Sequence, residues 1–128
     1  MPLNILTSGY PHEVSALMLS LRDFLLQKFP NLVEEIDLTS RILAYRVGPG
    51  IKGISFTIIP SQKGVKLGIP YGSQLADPDQ LLEGSGKLHK VVLITSAGQL
   101  NTQALSDLIC ASYQSALARS RKDNSTDV

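Results

Sequence analysis

Residues 54–69 read Ile-Ser-Phe-Thr-Ile-Ile-Pro-Ser-Gln-Lys-Gly-Val-Lys-Leu-Gly-Ile, and this stretch decides the fold. From Ile51 to Ile59, the apolar residues Ile54, Phe56 and Ile58 alternate with Gly53, Ser55 and Thr57. That two-residue period belongs to a strand with one buried face. Pro60 to Gly64 reads as a turn, and Val65, Leu67 and Ile69 resume the alternation in a returning strand. Two such runs joined by a short turn form an antiparallel hairpin. Consecutive hairpin strands argue against a parallel β-α-β layout.

Upstream, Val14, Leu17, Met18, Leu21, Leu25 and Phe29 recur at helical spacing, which predicts an amphipathic helix. Pro11 suits its first position, Glu13 complements the N-terminal dipole, Lys28 sits in the last turn, and Pro30 stops it. Val33–Leu38 and Ile42–Val47 have strand character, and Gly48-Pro49-Gly50 breaks the chain. Downstream, a long connection runs from Pro70 to Lys87. Within it Asp77 is expected to cap a short helix with Pro78 at its first position, anchored by Leu81 and Leu82 and ended by Gly84. Val91–Thr95 follows as a last strand. Asn101 is then expected to cap a second long helix with the stripe Ala104, Leu105, Leu108, Ile109 and Ser112. This order predicts a two-layer α+β sandwich, with two long helices on one face of a mainly antiparallel sheet and a short connecting helix. The other sheet face is left for water or a partner. The expected domain covers residues 1–118, with residues 119–128 as a disordered polar tail.

The 128 residues suit one domain, which at this size needs no staple to stabilise its core. A net charge of +1 lacks the basic excess that marks nucleic-acid partners. The single Cys110 cannot form an internal disulfide, and no stretch approaches the roughly 20 apolar residues of a membrane span. With no signal-peptide pattern at the N-terminus, these features predict a cytoplasmic protein.

Leu67-Gly68-Ile69, Gly72, Leu75, Asp77-Pro78, Leu81-Leu82-Glu83-Gly84 and Gly86-Lys87 together resemble the signature of the YdhG-like domain of unknown function. The resemblance runs from the first helix to residues 101–111. It implies a frataxin-like α+β fold, and some bacterial members of that family are described as iron chaperones.

Glu83-Gly84-Ser85-Gly86-Lys87 has the look of a phosphate loop, but Leu81 and Leu88 stand where its first Gly and its final Ser or Thr belong. The helix-to-strand context is also reversed. Weak anion binding through loop amides is physically easier, with Lys66, Tyr71, Ser85 and Lys87 as the expected ligand-binding residues. Structural use of the same glycines as turn formers is the favoured explanation of the two, because Gly so commonly marks turns. The alternative reading is an iron site at Asp77, Asp79 and Glu83, carboxylates that suit a hard cation. Capping by Asp77 and a solvated face explain these residues without metal. His12 and His89 lack metal-ligand spacing, and Cys110 has no basic helical neighbour to activate it. The residues thus predict a non-catalytic module that binds a small anion or a protein partner. A second subunit is one way to cover the open face.

Overall fold

The hairpin forms as the alternation predicts. In a computed structural model, which describes the backbone of residues 3–125 and the side chains of residues 4–121, five strands make one sheet. They are β1 (Val33–Asp37), β2 (Ile42–Arg46), β3 (Ile54–Ser61), β4 (Gly64–Ile69) and β5 (Lys90–Ile94). Their order is β1-β2-β3-β4-β5 and every neighbouring pair is antiparallel. Three helices accompany them: α1 (Leu3–Leu6), α2 (His12–Lys28) and α3 (Gln103–Ser125). The two long ones, α2 and α3, pack on the same sheet face.

Register explains which residues make the core. The pairs Leu43↔Ile58, Tyr45↔Phe56, Ile58↔Leu67, Val65↔Ile94 and Leu67↔Val92 put one set of side chains under the helices, and all of these are buried. Helix α2 meets them with Val14, Leu17, Met18, Leu21 and Leu25. Helix α3 adds Leu105, Leu108 and Ile109. Phe29, just past α2, stacks on Tyr113 of α3 at 4.0 Å between ring centroids and lies 6.0 Å from Phe56. That aromatic column joins both helices to the sheet.

Between Tyr45 and Arg46 the β2–β3 register shifts by one, leaving Ser55 as the extra residue of a bulge. Ser112 on α3 donates its hydroxyl to the Ser55 carbonyl at 3.0 Å. The Ser55 hydroxyl itself is buried and has no partner.

Several local expectations are corrected. Pro11 precedes the first residue of α2 rather than occupying it. Ile51–Gly53 is a turn of 3-10 helix, because the Val47 N–H bonds the Gly53 carbonyl across the loop and holds Gly53 against Gly48. Pro60, Ser61 and Gly64 belong to the strands, so only Gln62 and Lys63 form the hairpin turn. Residues 77–83 form no helix. Gln80 takes a left-handed conformation (φ 54°), which interrupts helical geometry, and both Asp77 carboxylate oxygens accept backbone N–H groups, from Leu81 at 2.8 Å and Leu82 at 2.9 Å. The connection's helical turn lies earlier, at Gly72–Gln74. Leu81 and Leu82 still pack on the core, and Gly84 has the expected positive φ of 115°. Asn101 ends a 3-10 turn (Ala97–Asn101) rather than capping α3, which starts two residues later.

The chain also stays ordered past the expected boundary at Arg119. Helix α3 continues to Ser125, and Arg119 is fixed from three sides. Its guanidinium donates to the carbonyls of Lys52 (3.3 Å) and Ile54 (3.1 Å), and it lies 4.2 Å over the Tyr71 ring. Burial lowers the guanidinium pKa. Residues 126–128 of the expected tail lie outside the described residues.

Just past the middle of α2, Arg22 grips Glu34 of β1 with two N–H groups, at 2.7 and 3.1 Å, while Tyr45 of β2 donates its hydroxyl to the same carboxylate at 2.7 Å. Tyr45 is fully buried. Burial, then the bond to Glu34, pushes its phenol well above its ordinary range. The folded state therefore holds this proton more tightly than the unfolded chain does. The stabilisation is complete below the ordinary phenol pKa of about 10 and is lost as pH rises above it, by about 1.4 kcal/mol per pH unit from this group. Urea unfolding between pH 9 and 11.5 is expected to show this fall, with Tyr45→Phe making it shallower. An unchanged slope in the variant would refute the assignment.

Candidate functional site

A groove of about 580 Å³ lies at the N-terminal end of α2. Three separated segments build it. Pro11 and, on helix α2, His12, Glu13, Val14, Ala16, Leu17 and Ser20 form one wall. The β3–β4 turn contributes Gln62 and Lys63, the start of β4 contributes Gly64, and the segment after β5 contributes Thr95, Ser96 and Ala97. Val14 and Leu17 are core residues whose outer edges reach the groove, so its base is apolar.

Each wall has a local reason to hold its shape. The two-residue hairpin turn is fixed by β3–β4 pairing down to Ser61↔Gly64, and the Ser61 hydroxyl donates to the Gly64 carbonyl at 3.1 Å. A side chain at Gly64 would collide with the Ile94 carbonyl, so this turn lies flat against β5. Gln62 reaches the Gly9 carbonyl at 3.4 Å, tying the turn to the segment before α2. Gln99 organises the third wall. Its side-chain oxygen accepts the Thr95 N–H (2.7 Å), the Ser96 N–H (3.0 Å) and the Thr95 hydroxyl (3.1 Å), while its amide donates to the Leu93 carbonyl (3.2 Å). The walls are thus preset rather than left to a ligand.

The polar groups differ in availability. Thr95 is engaged by Gln99. His12, Glu13 and Lys63 are exposed, and among the described residues no hydrogen bond or ion pair engages Lys63 or joins it to Glu13. No side chain caps the N-terminus of α2, so its first N–H groups add partial positive charge at this end.

The residues expected to bind an anion do not line this groove. Lys66 projects from the open sheet face in register with Ile59 and Leu93. Tyr71 is covered on one ring face by Arg119 and has a left-handed backbone (φ 59°). Ser85 and Lys87 are exposed in the connection. Of the carboxylates expected for iron, Asp77 is occupied by backbone N–H groups, Asp79 stands beside it in a smaller cavity of about 230 Å³, and Glu83 bridges to Val91 at the edge of β5. Among the described residues, no group of three or more His, Cys, Asp or Glu side chains is placed to hold a metal ion. No helix among them is long and apolar enough to cross a membrane.

The chain matches no protein-family model, and comparison with curated proteins and with solved structures found no match.

Proposed function

We propose that this protein is a non-catalytic binding module whose groove takes a small monocarboxylic acid with an apolar body. The observation that carries this reading is a preformed groove with an apolar base and an unengaged Lys63 on its rim. Its volume lies within the range of about 300–1,000 Å³ typical of small-molecule sites. Lys63, aided by the α2 N-terminus, would receive the acid group, and Val14, Leu17 and Ala97 would meet the apolar body. Glu13, on the opposite wall, disfavours a second negative charge, which argues for a monoacid over a diacid or a phosphate. The engagement of Thr95 by Gln99 supports a wall that shapes a ligand rather than one that attacks it.

Titration calorimetry with hexanoate, phenylacetate and N-acetylleucine tests the reading. Saturable binding is expected for at least one of them, weakened about tenfold by Lys63→Gln, or about 1.4 kcal/mol. Glu13→Gln should narrow the gap between a monoacid and the matching diacid. Absence of binding at millimolar concentration, or binding indifferent to Lys63→Gln, would refute it.

A further inference from the structure

On the sheet face away from the helices, register places Asp37, Ile42, Ile59 and Lys66 in one row across four strands, followed by Leu93 on β5. Asp37 pairs with Ile42, Ile59 with Lys66 and Lys66 with Leu93, while Ile42 continues the β2–β3 ladder beyond Leu43↔Ile58. The row therefore reads acid, apolar, apolar, base. Such a row is complementary to its own reverse. The next row holds Glu35, Ala44, Thr57 and Gly68, mostly small residues, and a side chain at Gly68 would collide with the Thr57 hydroxyl. The middle of this face is a hollow of about 530 Å³, lined by Asp37, Ile42, Ala44 and Thr57 among others, into which side chains of another sheet can settle.

We propose that a second copy of this chain packs on this face about a two-fold axis parallel to the strands, setting Asp37 of each copy against Lys66 of the other. The same rotation lays Ile42 over Ile59 reciprocally, and β2 of each copy over β3 of the other. Within one chain Asp37 and Lys66 are three strands apart, roughly 14 Å at ordinary strand spacing, so neither can neutralise the other internally. Both are exposed. Asp37 accepts the Ser40 N–H (3.0 Å), and hydrogen bonds from Ser40 and Thr39 hold its carboxyl below the ordinary carboxylate range, so it stays charged on this face. The exposed Val33 at the sheet edge adds apolar surface to the seam. The four overlapping strands offer a face of roughly 15 Å by 17 Å, below the standard protein interface, so the dimer is reversible and concentration-dependent. This surface lies on the sheet face opposite α2, and the proposal does not depend on the groove.

Sedimentation velocity from 5 to 500 µM tests the proposal on four proteins: wild type, Asp37→Lys, Lys66→Asp, and an equimolar mixture of these two variants. Wild type should shift from monomer to dimer across this range. Each variant alone should associate at least tenfold more weakly, because like charges then meet at both ends of the row. The mixture should recover association, since every 37–66 contact in a mixed dimer is again between opposite charges. Circular dichroism checks that the variants are folded; should Asp37→Lys unfold through loss of its turn bond, Lys66→Asp alone decides by weakening the dimer or leaving it unchanged. A wild type that stays monomeric at 500 µM, variants that dimerise as wild type does, or a mixture of folded variants without recovery would overturn the proposal.

Discussion

Arg22→Met is expected to lower the stability of the fold by about 2–4 kcal/mol. The guanidinium holds Glu34 with two hydrogen bonds, and the Glu34 side chain is only 15% exposed. Removing Arg22 leaves that carboxylate under the protein surface, with the Tyr45 hydroxyl still donating to it. An uncompensated, largely buried charge is more damaging than the pair was beneficial, which is why the one-sided deletion has a large effect. Arg22 is itself 24% exposed, so solvent screening keeps the loss below that of a fully buried pair. The control is Arg22→Met combined with Glu34→Leu. Removing both charges should recover most of the lost stability, because apolar side chains fill the space between α2 and β1 without a desolvated ion. Urea denaturation distinguishes the outcomes: additive losses in the double variant would contradict the pairing.

Arg119→Ala is expected to lower stability by about 2–3 kcal/mol. One side chain here satisfies two carbonyls of the Lys52–Ile54 segment and covers the ring of Tyr71. It ties the far half of α3 to the start of β3 and to the segment leaving β4. Tyr71 has a left-handed backbone, which a tyrosine seldom adopts unless its surroundings hold it there. Arg119→Lys should recover little, since an ammonium cannot reach two carbonyls and lie flat on a ring at once. In thermal unfolding the alanine variant should lose about 3–5 °C per kcal/mol. A lysine variant as stable as wild type would show that charge, rather than the planar fork, does the holding.

The stretch at residues 54–69 disclosed its hairpin because one face of it is uniformly apolar, and α2 disclosed its stripe for the same reason. Where local chemistry admitted two outcomes, the sequence misled. Asp77-Pro78 is a sound helix start, yet the same carboxylate can hold a non-helical loop, and the left-handed Gln80 selects the latter. Asn101 is a good cap, but Gln99, two residues earlier, organises the turn through four contacts as the last residue of a Ser96–Gln99 capping box, a competing local signal that the Asn101 reading passed over. Arg119 sits in a polar stretch and looked solvated; the two carbonyls it bonds lie 67 and 65 residues upstream, Tyr71 lies in the connection after β4, and only Ser115 is near, one helical turn away. The groove was illegible for a related reason. Its walls come from residues near 12, 63 and 96, and only the folded sheet brings them together. Lys63 carried no signal beyond that of an ordinary turn residue. Lys66 was visible as a free cation, while its place in a self-complementary row needed the register of four strands.

The most direct test of the groove as a binding site is a ¹H–¹⁵N correlation spectrum of the protein titrated with hexanoate. Progressive, saturable shifts should be confined to amides of residues 12–17, 62–64 and 95–97, and they should weaken in Lys63→Gln. Shifts centred instead on residues 66–71 and 84–87, or no saturable shifts at any site, would contradict the account.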